Sequence, residues 1–222
     1  MNFMKRHAGL AVITAALLLM TNAAIAQEAT TEPSGKTAGD FMVRVRALGV
    51  IPADNADIDP IGGDTDLSNT ATPEIDISYF ITDNIALELI AATTHHDVWA
   101  DDTDLGDVNL GDVWLLPPTL LLQYHFLSKG TVSPYVGAGI NYSIFYGVDE
   151  PNHSIIEDVD YENNLGWALQ AGVDVRIADN WYVNADVKRL FLNTDASINH
   201  GAIKADVDVD PWIFGMGLGY KF

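Results

Sequence analysis

The 222-residue sequence contains no cysteine. That absence excludes disulfide frameworks, thiolate-held zinc or iron–sulfur centres, thiol nucleophiles and the modified cysteine of a bacterial lipoprotein. Positive charge is scarce. Eleven Lys and Arg stand against 31 Asp and Glu, for a formal net charge of −20. A nucleic-acid partner needs a basic face to displace counterions, so none is expected. Long apolar runs are also missing. Only Leu10–Met20 approaches one, and it is too short for a membrane-spanning helix. No G-x-S-x-G, H-E-x-x-H or phosphate-binding loop occurs, so no catalytic role, cofactor or resident metal is expected. Apolar residues nevertheless make up 48%, with eight Tyr, eight Phe and five Trp, too many for a solvated acidic chain.

Residues 1–26 have the form of a cleaved signal peptide: Lys5 and Arg6, the short apolar run, then Ala24-Ile25-Ala26 before Gln27. Residues 27–40 read as a flexible polar lead-in. From Phe41 to Phe222 the dominant period is two, the period of strands. In the last segment Trp212, Phe214, Met216, Leu218, Tyr220 and Phe222 share one face, while Ile213, Gly215, Gly217, Gly219 and Lys221 share the other. A soluble sandwich would put the bulky face inward, but the opposite face is too small and mixed for a water-facing surface. A wall with its large side chains toward lipid and its small ones toward a narrow lumen fits better.

The alternation recurs seven more times, giving eight strands, each long enough to cross a bilayer when tilted. Tight turns at Thr82-Asp83-Asn84, Ser128-Lys129-Gly130 and Ala178-Asp179-Asn180 alternate with long loops at about 53–72, 97–112, 149–162 and 195–210. Short connections on one side and long ones on the other predict an all-β, eight-stranded antiparallel up-and-down transmembrane barrel in an outer membrane. Its partners would be outer-membrane lipid and lipopolysaccharide.

Sorting side chains by parity fills the lumen. Arg44, Arg46, Arg176, Lys188 and Lys221 face inward, as do Glu74, Asp76, Glu88, Asp174 and Asp186, and they are expected to neutralise one another as lumen ion pairs. Leu48, Ile90, Leu115, Leu121, Phe145, Leu190 and Ile213 also face inward, mostly in the outer half. They make either simple lumen packing or an apolar pocket open to the outside above a charged floor. A hydrophobic solute could not cross that floor cheaply. Pro117 and Pro118 each lack a ladder donor, so the wall there is the expected lateral exit.

The long loops hold 21 acidic residues against the single Lys204. They read as a solvated acidic surface, or alternatively as oxygen ligands for divalent ions bridging to lipopolysaccharide. Asp101–Asp107 lacks EF-hand spacing. Gly137-x-Gly139 and Gly215-x-Gly217-x-Gly219 lie within strands and lack the following helix of a nucleotide loop. His95 and His96 are adjacent on a strand and point to opposite faces, so one metal would not engage both.

Leu116-Pro117-Pro118-Thr119-Leu120 followed by Gln123-Tyr124-His125-Phe126 resembles the signature of the outer membrane protein W family. So do Pro134-Tyr135-Val136-Gly137-Ala138-Gly139-Ile140-Asn141-Tyr142, Thr82-Asp83-Asn84-Ile85 with Glu88-Leu89, and Asp210-Pro211-Trp212 with the terminal Gly219-Tyr220-Lys221-Phe222. The resemblance spans nearly the whole chain after residue 26. It implies a hydrophobic channel passing small apolar molecules, and an assembly signal at Tyr220 and Phe222 read by the barrel assembly machinery. Lys188 and Arg189 depart from the aromatic or apolar residues common in the family at these positions. The alternative is a structural or surface-interaction barrel with a closed lumen and acidic loops that bind divalent ions or lipopolysaccharide.

Overall fold

A computed structural model describes residues 35–53, 55–59, 62–104, 106–149, 159–198 and 200–222. The expected signal peptide and residues 27–34 lie outside the described residues. Along the chain, β1 (Phe41–Ile51) leads toward β2 (Asn55–Asp59), β3 (Asp64–Leu67) into β4 (Thr70–Phe80), and β5 (Ile85–Ala92) into β6 (Thr94–Thr103). Next, β7 (Gly106–Leu116) leads into β8 (Thr119–His125), followed by the 18-residue β9 (Val132–Asp149). After it, β10 (Val159–Tyr161) leads into β11 (Asn164–Ala178), β12 (Trp181–Phe191) into β13 (Asn193–Ile198), and β14 (Ile203–Asp208) into β15 (Trp212–Lys221).

Eight of these strands close a ring: β11, β12, β15, β1, β4, β5, β8 and β9, with β9 pairing back to β11. Every pairing in it is antiparallel, so the wall has no unpaired edge to leave in lipid. The facing follows the sequence parity. Trp212, Phe214, Met216 and Leu218 are exposed on the outer surface, whereas Arg44 and Asp174 are fully buried in the lumen. The glycine face of β15 has a packing reason. A Cβ on Gly217 would lie 2.0 Å from the Val45 carbonyl oxygen, and one on Gly215 would lie 2.2 Å from Asp186 Oδ1. Small residues on this strand leave the lumen to the long side chains of its neighbours.

The turns at one end of the ring are tight. The Thr82 hydroxyl accepts the Ile85 N–H at 2.9 Å, and the Asn84 carboxamide donates to the His125 carbonyl at 2.6 Å. The other side differs from the expected loops. Above the ring the staves continue as strands in two four-stranded groups, β10-β13-β14-β2 and β3-β6-β7-β9. The physical reason lies in alternation within the acidic stretches, clearest in the last of them. Ala205, Val207 and Val209 are buried while Lys204, Asp206 and Asp208 are exposed. Acidic residues solvate the outer face as apolar partners cover an inner one, so these segments satisfy strand packing despite their charge. Val98, Val113, Ala196, Ile198 and Val207 join the lumen residues Leu48, Ile90 and Leu190 in one continuous apolar core.

Residues 35–40, assigned by sequence to the flexible lead-in, are built into the barrel. The Lys36 N–H donates to the Ser128 carbonyl at 2.8 Å and the Gly39 N–H to the Phe80 carbonyl at 2.8 Å. At the surface the Ala38 N–H and the Lys129 ammonium both reach Asp83, and together they hold its carboxyl below the usual carboxylate range.

Candidate functional site: an apolar cavity above an ion-paired septum

Arg44 and Arg46 stand two residues apart on β1 and therefore project into the same lumen. Arg44 reaches Asp76 at 2.8 Å, Glu88 at 3.1 Å and Asp174 at 3.1 Å. Arg46 reaches Glu74 at 2.7 Å, Asp76 at 2.8 Å, Glu88 at 3.1 Å and Asp186 at 2.8 Å. Lys188 completes the outer side, 2.8 Å from Glu74 and 3.2 Å from Asp186. Neutral donors knit the carboxylates across the lumen. Gln123 donates to Glu88 at 2.8 Å, Gln170 to Asp186 at 2.8 Å, and Asn184 to Asp174 at 2.8 Å. These residues come from β1, β4, β5, β8, β11 and β12, so the network crosses the barrel from wall to wall as a septum. Its charges are buried and survive there because each is paired and hydrogen-bonded.

Two residues assigned by parity to the lumen pairs sit elsewhere. Lys221 binds Asp40 at 3.0 Å and the Gly35 carbonyl at 3.3 Å, at the mouth with the tight turns. Arg176 is half-buried opposite Tyr182, next to a register shift in β11. Both lie at strand ends, one to several residue rises from the septum. Sequence reasoning missed Lys36. Its fully buried ammonium lies 2.6 Å from Asp174, 3.0 Å from the Ser133 hydroxyl and 2.9 Å from His125 Nδ1, closing the septum from below. No period exists in the lead-in to reveal which way Lys36 points.

Directly above the septum is a narrow apolar cavity of about 40 Å³. Its floor is Glu74 and Lys188, and Leu48, Ile90, Leu115, Leu190 and Ile213 line its sides. The other two residues assigned to the apolar pocket are placed differently. Leu121 is fully buried at septum level, across from Glu88 and Gly139. Phe145 lies farther out, in a second cavity of about 30 Å³ between the strands beyond the ring, where it stacks on Tyr161 with ring centroids 5.4 Å apart. Val50, Leu192 and Val209 also line the lower cavity. Val50 and Leu192 continue the parity of a recognised strand by one step and Val209 by two, across Pro211, which is the signal that could have found them.

Tyr161 belongs to β10, beyond the membrane-spanning ring, and burial pushes its phenol up to about 12. An unfolded tyrosine ionises at about 10, so between these values the fold holds a proton that the unfolded chain has lost. Stability is therefore expected to fall as pH rises through that window. A difference ultraviolet tyrosinate titration against Tyr161→Phe should isolate one late-ionising phenol. A difference component centred near 10 would contradict this.

The cavity touches the wall at Pro117 and Ala92. Paired positions between the third and fourth staves stop at Ile90↔Thr119 and resume at Thr94↔Leu115. In between, Pro117 has no N–H, and its carbonyl accepts the Thr119 hydroxyl of its own strand at 2.9 Å. On the other side the Tyr142 N–H still donates to the Pro118 carbonyl at 3.0 Å. The break in the wall is thus one-sided, between Ala91–Thr93 and Leu116–Pro118.

The histidine pair divides as strand geometry requires. His95 faces outward, bound to Asp112 and tilted over Trp114, while His96 is buried beside the cavity with Nδ1 2.9 Å from the Ser68 carbonyl. At the chain end Tyr220 packs between Trp181 and Phe222, and the Phe222 N–H donates to the Phe41 carbonyl at 2.7 Å.

A family model described as the OmpW family matches residues 37–222. An uncharacterised outer-membrane protein of Sinorhizobium fredii is 43% identical over 210 residues, covering 90% of each chain. The crystal structure of the outer membrane protein OprG from Pseudomonas aeruginosa superposes with a TM-score of 0.79 at 32% identity, covering 85% of this chain and 98% of that one. A more distant relative, a dibenzothiophene metabolism operon protein of Pseudomonas aeruginosa, is 28% identical over 163 residues, 72% of this chain and 76% of its own.

Proposed function

Because this chain belongs to the OmpW family of outer-membrane barrels, we propose that it serves passive uptake of small hydrophobic molecules across the outer membrane. The observation that carries this reading is the stacking of an apolar cavity directly on a sealed, ion-paired septum, with the break in the wall beside it. A solute drawn from outside would leave water for Leu48, Ile90 and Ile213, gaining roughly 25 cal/mol for each Å² of apolar surface buried. Crossing the septum would then require breaking paired charges, which is far more costly than slipping between Ala92 and Pro117 into lipid. The cavity is slender, so passage requires its aliphatic lining to give way. The relative named for a dibenzothiophene metabolism operon supports a hydrophobic substrate. Tyr220 and Phe222 are the segment we assign to recognition by the barrel assembly machinery, after export directed by residues 1–26.

Two measurements test the reading together. Cells producing the protein should accumulate labelled octane faster than cells lacking it. The purified barrel in a planar bilayer should pass no steady ionic current, because the septum seals the lumen to hydrated ions. Ionic conductance without octane uptake would overturn the proposal in favour of an aqueous pore. Neither activity would favour a closed structural barrel that works through its acidic outer surface.

A further inference from the structure

Two buried polar side chains take no part in the septum. On β9, both nitrogen and oxygen of the Asn141 carboxamide and the Ser143 hydroxyl lack a hydrogen-bond partner among the described residues. They are not at the surface: Asn141 is 1% exposed and Ser143 0%. An unpaired polar group in an apolar surround is costly and uncommon, so three such atoms on one face of one strand need a polar partner, either water or the polar group of a ligand that displaces it.

Their position says where that ligand would lie. Asn141 is directly across from Thr119, which lines the lower cavity. On its other side it faces Gly166, where a Cβ would come within 2.7 Å of Asn141 Oδ1, so the glycine leaves the carboxamide its room. Ser143 is the next lumen-facing residue outward, and Phe145 after it lines the upper cavity. Asn141 and Ser143 line neither cavity themselves; they lie on the wall between Thr119 of the lower one and Phe145 of the upper one.

The chemistry narrows the ligand class. Asn offers donors and an acceptor, and Ser offers one O–H and two lone pairs. Neither carries charge, and the septum cations are already engaged by carboxylates. A carboxylate or ammonium brought here would be desolvated without compensation. A neutral group that both donates and accepts would satisfy both side chains at once. We infer that Asn141 and Ser143 form a polar notch that binds the hydroxyl of a small amphipathic alcohol while its alkyl chain lies among the aliphatic residues of the cavity. This rests on the uptake reading and names a substrate class within it.

The test compares uptake of labelled 1-octanol and octane by cells producing the wild type, Ser143→Ala, or Asn141→Leu with Ser143→Ala. Heat-modifiable electrophoretic migration sets each rate against the amount of folded barrel. The double variant should lower 1-octanol uptake about tenfold and leave octane uptake unchanged, and Ser143→Ala alone should shift the ratio the same way by less. An unchanged ratio of 1-octanol to octane in the double variant would overturn the notch while leaving the channel intact. A wild type that admits neither solute above cells lacking it would overturn the uptake reading first. Should the double variant fail to fold, the side-chain amide resonance of Asn141 in the wild-type protein decides. It should move when 1-octanol is added to barrels in lipid nanodiscs and stay put with octane; equal response to both contradicts the inference.

Discussion

Arg44→Met is expected to destabilise the barrel by about 3–5 kcal/mol. The methionine fills most of the arginine's volume but leaves Asp76, Glu88 and Asp174, all buried, without their shared cation. Lys36 still reaches Asp174 and Arg46 still reaches Asp76 and Glu88, so the loss is not total. Neither can replace the guanidinium fork that holds three carboxylates from three strands. Denaturant unfolding of the barrel refolded into lipid vesicles, followed by tryptophan fluorescence, measures the effect. A change below about 1 kcal/mol, the value typical of an exposed pair, would mean the septum is wet and not sealed.

The second large effect concerns the wall. Replacing Pro117 and Pro118 by Val and Thr restores two backbone donors, one toward each neighbouring strand. Each new ladder bond contributes about 1 kcal/mol, and more where no water competes, as in lipid. Opening the seam between Ala91–Thr93 and Leu116–Pro118 then becomes harder, and octane uptake should drop at least about tenfold while the barrel grows more stable. Uptake that persists in a demonstrably stabilised double variant would show that solute leaves by another path.

How much of this could be read in advance follows from what parity does and does not encode. A period of two sorts side chains to lipid or lumen, and for that reason Arg44, Glu74, Asp174 and Lys188 could be grouped before any coordinates, as could Leu48, Ile90 and Leu190. Parity carries no height. Nothing in it says that Lys221 and Arg176 lie at the rim while Asp186 lies in the middle; that depends on stagger between strands, set by pairings such as Arg46↔Glu74 and Gln170↔Lys188. Lys36 was invisible because it precedes the first strand. The strands beyond the ring were hidden by their acids, since Asp206 and Asp208 look like loop residues until Val207 and Val209 are seen to alternate with them. The prolines pointed to a gap, but which neighbour loses contact was decided by a local choice, the Thr119 hydroxyl taking the Pro117 carbonyl.

The central claim is that an apolar solute occupies the outer half of the lumen, stops at the septum and leaves through the wall beside Pro117. Paramagnetic relaxation from a nitroxide-labelled alkane, read on methyl groups of the barrel in lipid, tests it most directly. The account predicts strong broadening at Leu48, Ile90 and Leu190 and at Ala92 by the seam, with Met42 and Ala86 below the septum untouched. Broadening confined to lipid-facing methyls such as Leu122 and Leu218, or reaching Met42 and Ala86 as strongly as Ile90, would contradict it.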